Sequence, residues 1–190
     1  MTDMIIENKV FDGFDYSEKE LAKGSYDDCT FVNCNFSHSD LSNIDFMESK
    51  FANCDFSLVK ISNTSLKNVK FENCKLLGLN FSDCNDFLLS VEFEECNLNF
   101  TSFSKLKLKG IEFRDCSMQE IDFAEADLSK SLFDNCNLDR AIFSRTNLEK
   151  SDFRTSYNYS FDPETNRIKN AKFSMSGVMG LLDKYDIKVE

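Results

Sequence analysis

The sequence predicts an all-β solenoid, a right-handed quadrilateral β-helix of about eight four-sided coils followed by a C-terminal α-helix. Three observations lead to this prediction. A large apolar residue recurs every five positions, a small residue stands two positions before it, and phenylalanines return at intervals of 20 residues. Neither the helical period of about 3.6 residues nor the strict alternation of a flat sheet produces an interval of five.

Each five-residue unit is expected to form one short extended side and one corner. In extended chain, residues i and i−2 point to the same face. A pair such as Cys34 and Phe36 should therefore point inward together. The two consecutive polar residues that complete the unit must then turn the chain.

Like residues return after four units, which indicates four sides in each turn. The expected core ladders are Phe31, Phe51, Phe71, Phe93, Phe113, Phe133, Phe153 and Phe173, and Cys34, Cys54, Cys74, Cys96, Cys116 and Cys136. The neighbouring side should stack Leu66, Leu88, Leu108, Leu128 and Leu148. One interval of 22 residues, caused by a two-residue insert within 82–91, should bulge one corner without breaking the coil.

The eight cysteines all occupy small inward positions. A buried free thiol behaves as a small apolar group, and a zinc site would need clustered Cys or Cys/His pairs that the chain lacks. We therefore expect reduced cysteines, no metal and no cofactor. The N-terminal stretch lacks the segments of a signal peptide and no apolar stretch approaches about 18 residues, so we expect a cytoplasmic protein.

Four segments follow from where the rhythm starts and stops. Residues 1–10 should form an N-terminal cap with a short strand, and residues 11–153 the repeats. Residues 154–173 contain the only proline and should form a loop and the final coil. Residues 174–190 should form a helix and a short strand, because an open solenoid end must be capped or paired.

The C-terminal helix is predicted from apolar residues spaced by three, four and seven positions. The strand that follows it rests on the alternation of Ile187 and Val189. Dimerisation candidates from this segment are Val178, Leu181, Leu182, Tyr185 and Ile187. A simple cap on a monomer is the alternative for the same helix.

The repeats resemble those of the pentapeptide repeat proteins, over about residues 11–153. The units that carry the resemblance are Ala126-Asp-Leu-Ser-Lys130, Cys136-Asn-Leu-Asp-Arg140 and Ala141-Ile-Phe-Ser-Arg145. The resemblance implies a right-handed quadrilateral β-helix. The C-terminal helix is similar to the one through which the Qnr and MfpA branch of that family forms tail-to-tail homodimers.

The sequence offers no constellation for catalysis. Its single histidine, His38, falls at an outward position without evident partners, and no Gly-rich phosphate loop or nucleophile elbow is present. A filled rod also leaves no cleft in which paired carboxylates could acquire shifted pKa values. We therefore expect a non-enzymatic protein that acts through its surface.

The surface is acidic, with a formal net charge of −11. Such a body repels nucleic acid and anionic membranes and attracts basic surfaces. The resemblance to Qnr and MfpA implies binding to DNA gyrase or topoisomerase IV as a DNA mimic, with quinolone protection in the Qnr branch. The candidate contact residues are Glu92, Glu94, Glu95, Glu112, Asp115, Asp134, Phe87 and Phe100.

Two alternatives remain at this point. The carboxylates could be merely solvated charges, and the rod could be a scaffold or adaptor without topoisomerase activity. A DNA mimic needs carboxylates continuous on an aligned face, whereas an adaptor would present an apolar or mixed patch. Gram-negative Qnr proteins carry two protruding loops, whereas the only interruption within the coils of this chain is the small insert near Asn85-Asp-Phe-Leu-Leu89.

Overall fold

A computed structural model describes residues 4–188 of the chain, and it is a parallel β-solenoid. The strands are β1 (Ile5–Glu7), β2 (Val10–Asp12), β3 (Ser25–Asp27), β4 (Thr30–Val32), β5 (Asp45–Met47), β6 (Lys50–Ala52), β7 (Ser65–Lys67), β8 (Val69–Glu72), β9 (Val91–Glu94), β10 (Glu112–Arg114) and β11 (Leu132–Asp134). One sheet has the order β1-β3-β5-β7 and the other β2-β4-β6-β8-β9-β10-β11.

The coil has four sides, which we name in chain order by the inward residue each carries near the N-terminal end: side A (Ile6), side B (Phe11), side C (Tyr16) and side D (Leu21). The segment predicted as a cap supplies the first rung of side A, because β1 pairs with β3. Height along the rod is given by levels 1 to 9, which follow the stacked rings Phe11, Phe31, Phe51, Phe71, Phe93, Phe113, Phe133, Phe153 and Phe173 of side B.

Strand pairing confirms four units per turn. Phe31 pairs with Phe51 at an offset of 20 residues, and Phe71 pairs with Phe93 across the offset of 22. Consecutive rings on side B stack with centroids between 4.4 and 5.5 Å apart. The regular strands of this side make six steps, from β2 to β11, fewer than the eight coils expected. Beyond β11 the same stacking is carried by isolated bridges such as Asp152 with Lys172.

The corners are made by residues in the left-handed backbone region. Asn33, Asn53 and Asn73 have φ of 54°, 56° and 48°. Asparagine tolerates this conformation better than most residues. Asn73 Nδ2 also donates a hydrogen bond to Asn53 Oδ1 over 2.7 Å, so neighbouring corners are linked by their side chains. The two polar residues of each unit therefore turn the chain, as predicted.

All eight cysteines are free and buried. The thiol of Cys136 contacts the backbone oxygens of Phe113 and Asp134 at 3.5 and 3.4 Å. Burial raises the pKa of the Cys84 thiol to about 12. The prediction that the cysteines pack as small core residues is confirmed.

The prediction that Leu88 belongs to the inward column of side A is wrong. Leu88 is 64% exposed and has φ of 60°. Ser65 pairs with Asn85 and Val69 with Val91, so five residues span the corner that three span one level below. The extra residues loop outward, and Leu89 instead packs against the core.

The predicted C-terminal α-helix is also wrong, because the segment forms two 3₁₀ turns, Gly177–Leu181 and Asp183–Tyr185. Glycine weakens an α-helix, and here it permits close approach to the rod. A Cβ on Gly180 would lie 1.9 Å from the backbone oxygen of Tyr159. Ile187 is in no strand, and Val189 lies outside the described residues.

Candidate protein-binding surfaces

The six candidate carboxylates lie on side B and on the corner that follows it. Glu92 and Glu94 point outward on either side of the buried Phe93. Glu95 and Asp115 occupy the corner positions with φ of 54° and 53°. The structure therefore brings these carboxylates together, at levels 5 to 7 of the rod.

Half of these carboxylates are already paired with cations of the same side. Lys70 Nζ lies 2.7 Å from Glu94 and 2.8 Å from Glu72. Arg114 contacts Glu112 at 2.5 Å and Asp134 at 3.6 Å. Pairs at this exposure contribute about 0–1 kcal/mol each to stability. Their larger effect is to divide the acidic side into alternating charges.

Two lysines, Lys50 and Lys70, also form ion pairs with Glu72, which lies one level below Glu94. Hydrogen bonds from Lys50 and Lys70 lower the pKa of Glu72, the contact with Lys50 being the stronger cause. The same contacts with Glu72 and Glu94 raise the pKa of Lys70. This network is the feature of side B that the sequence did not indicate, because pairing between levels depends on which residues stand 20 or 22 positions apart.

The other three candidates, Glu92, Glu95 and Asp115, make no ion pair among residues 4–188 and are exposed. Asp115 accepts a hydrogen bond of 2.6 Å from Asn135 Nδ2, which fixes its orientation. These three side chains form the acidic patch that a basic partner could reach.

Two apolar patches lie elsewhere on the rod. Phe87 is 66% exposed on the bulge of level 5, as predicted, and Lys67 Nζ lies 5.9 Å from the centre of its ring. Phe100 is 55% exposed at the corner between sides C and D. Sequence reasoning missed its neighbour Leu58, which is 58% exposed and leans over Gly78 between them.

Leu58 could have been identified as exposed from its position in the five-residue unit, because it stands where the chain turns a corner. Leu58 and Phe100 have φ of 58° and 60°, at corner positions that elsewhere mostly carry asparagine, glycine or charged residues. A bulky apolar residue costs about 1–2 kcal/mol in that conformation. A large apolar residue at a corner is therefore unfavourable for two reasons: its backbone is strained, and its apolar side chain is exposed to water.

The dimerisation candidates divide into two groups. Leu181 is buried and Val178 packs partly against the chain's own core. Leu182 is half-buried, whereas Tyr185 and Ile187 are 48% and 55% exposed. Tail-to-tail dimerisation stays a prediction, with Tyr185 and Ile187 as the members a second copy could reach.

Other kinds of site are not apparent in the described part of the chain. Residues 4–188 hold no group of three or more His, Cys, Asp or Glu side chains that could bind a metal ion. No helix in this range is long and apolar enough to cross a membrane. His38 lies exposed at a corner, with φ of 60°.

The family profile described as pentapeptide repeat region matches residues 25–88 and 86–158, whereas no curated protein matches. Among solved structures, full-length QnrB1, described as a plasmid-mediated fluoroquinolone resistance protein, is 17% identical, covers 97% of this chain and 100% of its own, and has a TM-score of 0.45. HetL from the cyanobacterium Nostoc, described as involved in heterocyst differentiation regulation, is 12% identical over 92% and 88%, with a TM-score of 0.49.

A pentapeptide repeat protein from the thylakoid lumen of Arabidopsis thaliana is 18% identical, over 51% of this chain and 59% of its own, with a TM-score of 0.31. The profile match extends over more than half of the residues and spans the stacked four-sided coils described above. The chain therefore belongs to the pentapeptide repeat family.

Proposed function

We propose that this chain is a rigid, non-enzymatic rod that binds a type II topoisomerase, DNA gyrase or topoisomerase IV, by occupying its basic DNA-binding groove. The observation that carries the proposal is the exposed acidic patch of Glu92, Glu95 and Asp115 on a body of net charge −11. Protection of the topoisomerase from a quinolone is the stronger form of the same proposal.

Rigidity supports this role. The stacked coils fix the spacing of outward carboxylates at about 4.8 Å along the axis, so little order has to be acquired on binding. Electrostatic attraction between an acidic rod and a groove rich in Lys and Arg would chiefly raise the association rate. Affinity should therefore fall as salt rises.

The second candidate is a scaffold or adaptor that binds some other protein, and a specific observation favours it. Glu94, Glu112 and Asp134 are neutralised locally, so side B is a mixed surface rather than a continuous acidic face. The strained apolar pair Leu58 and Phe100 offers a different contact, in surroundings that are mostly uncharged.

Binding of the purified chain to immobilised gyrase tests the choice. The proposal predicts salt-sensitive binding that weakens about tenfold or more when Glu92, Glu95 and Asp115 are all changed to Lys. The variant Leu58→Ser with Phe100→Ser should bind as the wild type does. Absence of binding, or loss only in the second variant, would contradict DNA mimicry and favour the adaptor.

A further inference from the structure

The corner between sides C and D carries a column of residues whose order is symmetric about a glycine. This corner column takes one outward residue from each of levels 1 to 7: Glu18, His38, Leu58, Gly78, Phe100, Glu120 and Arg140. Backbone hydrogen bonds stack its levels directly, from Leu58 N to Leu77 O over 3.3 Å and from Gly78 N to Asn99 O over 3.0 Å. From Gly78 an apolar residue comes first in both directions, and the two ends of the column carry opposite charges.

The centre of the corner column is apolar and has a gap. Leu58 and Phe100 are exposed and stand two levels apart, which is about 10 Å along the rod axis. Gly78 lies between them with φ of 69°, and a Cβ there would lie 3.5 Å from Leu58 Cδ2. The missing side chain leaves room for another backbone to approach closely.

We propose that the corner column binds a second copy of the chain in antiparallel orientation, with a two-fold axis that passes through Gly78 perpendicular to the rod. The axis places level 1 opposite level 7, level 2 opposite level 6 and level 3 opposite level 5. Leu58 then packs against Phe100 of the second copy, and the contact occurs twice. The two copies of Gly78 meet at the axis, with the half-buried Leu77 side chains beside them. An isologous interface needs this kind of self-complementarity.

The polar residues of the corner column match in the same register. His38 lies opposite Glu120 of the second copy and can donate a hydrogen bond to its carboxylate. Glu18 lies opposite Arg140, whose guanidinium is 70% exposed although it already contacts Glu120 at 2.9 Å. The residues that precede the column at levels 1 to 3 add no charge, since they are Ser17, Ser37 and Ser57.

Other arrangements of two copies lose this match. An antiparallel pair shifted by one level would set Leu58 opposite Glu120 and His38 opposite Arg140. A parallel pair would set Glu120 and Arg140 each against the same residue of the second copy. The corner column therefore specifies both the direction and the register of the pair.

Two like-charged oppositions lie beside the column, Asp40 with Asp122 on side D and Lys75 with its own copy on side C. Both are on flat sides that slope away from the corner, so the opposed charges are far apart and screened. Asp40 is also paired with Lys23 at 3.7 Å, and Lys75 with Asp55 at 3.2 Å. These charges should weaken the pair only slightly.

Sedimentation velocity of the full chain at rising concentration tests the proposal. A contact along one corner is narrow, so we expect a reversible dimer with a dissociation constant of about 10–100 µM. Leu58→Asn with Phe100→Asn should weaken it about tenfold or more, and asparagine suits the left-handed backbone at both positions. The matched control Phe87→Asn with Leu88→Asn removes two exposed apolar residues of the bulge and should leave the dimer intact.

Charge reversal tests the register. Glu18→Arg alone and Arg140→Glu alone should each weaken the dimer about threefold or more, because each reversal acts twice. An equimolar mixture of the two variants should form a heterodimer, in which both contacts are again between opposite charges. The chain that carries both reversals should dimerise as the wild type does.

Cysteine crosslinking tests the axis. Leu77→Cys should form a disulfide-linked dimer by itself, since this residue meets its own copy at the axis. His38→Cys and Glu120→Cys should link rapidly only when the two variants are mixed. The native thiols do not compete, because all eight are buried.

Three results would overturn the proposal. The wild type could stay monomeric at about 1 mM, ten times the weakest dissociation constant expected. Its dimer could survive Leu58→Asn with Phe100→Asn and dissociate with Tyr185→Glu and Ile187→Glu. The His38→Cys chain could link to itself faster than to the Glu120→Cys chain, which would indicate a parallel pair. The acidic patch faces away from this corner, so topoisomerase binding and this dimer can fail separately.

Discussion

Phe133 and Phe153 stack with ring centroids 4.4 Å apart and planes inclined by 12°, the closest contact in the aromatic ladder of side B. Both rings are fully buried. On side B, regular strand pairing gives way at this level to a bridge between Leu132 and Asp152, with backbone hydrogen bonds from Phe133 N to Asp152 O and from Asp152 N to Ser131 O of 3.0 and 2.9 Å. Ring stacking therefore continues, together with these backbone hydrogen bonds, beyond the last regular strand toward the C-terminal end of the coil.

Phe133→Ala should consequently destabilise the chain by about 3–5 kcal/mol, the usual cost of an empty site in a packed core. Denaturant unfolding followed by circular dichroism measures it. The matched control Phe87→Ala removes the same ring from the exposed bulge and should change stability by less than about 0.5 kcal/mol. Equal losses in both variants would contradict the stacking account.

Two replacements of a corner asparagine should lower stability by different amounts. Asn73 has φ of 48° and donates a hydrogen bond to Asn53. Asn73→Ala loses the bond and strains the backbone, at a cost of about 1–2 kcal/mol. Asn73→Gly loses only the bond and should cost less. A glycine variant less stable than the alanine variant would show that the backbone conformation is not the source of the cost.

Replacing Leu58 should raise the stability of the fold, whereas replacing Asn73 should lower it. Replacing this exposed leucine, at φ of 58°, with asparagine should stabilise the chain by about 1 kcal/mol. A thermal or denaturant melt detects the shift. A loss of stability would mean that contacts of the leucine side chain, such as the one with Gly78, outweigh the strain.

The ion pairs of Glu72 predict how stability depends on pH. The pKa of Glu72 is lower in the folded chain than its usual value of 4.5, so the pairs stabilise the fold above that pH. The contribution is lost as pH falls through the lowered pKa. The free-energy gap between wild type and Glu72→Gln, about 0.5–1 kcal/mol at neutral pH, should shrink below pH 4.5.

A suitable comparison for this titration is Glu92→Gln, since Glu92 has no ion-pair partner among residues 4–188. Its stability difference from the wild type should be small over the whole range. A gap for Glu72→Gln that grows on acidification would have the wrong sign for the account.

The five-residue interval was sufficient to predict the coil, because each inward position is set by its neighbours in sequence. Phe31 and Cys34 could be placed without knowledge of any distant contact. Leu88 could not, since an insert leaves several ways to return to register and the packing of Leu89 decided among them. The C-terminal segment was misjudged because helical spacing ignored the close approach of Gly180 to Tyr159.

The sequence predicted where the candidate carboxylates lie, but not which of them form ion pairs. Glu94 and Glu95 are adjacent in sequence, yet only Glu94 reaches Lys70 of the level below. Pairing of this kind depends on which strand lies alongside and on the direction of long side chains.

Supercoiling by gyrase, titrated with the purified chain in the absence and presence of a quinolone, tests the proposed function most directly. The account predicts inhibition, or rescue from the drug, that weakens when Glu92, Glu95 and Asp115 become Lys. A control with the same change of net charge, Glu18, Glu20 and Asp83 to Lys, should act as the wild type. No effect of the wild type well above the enzyme concentration, or equal loss in both variants, would contradict the account.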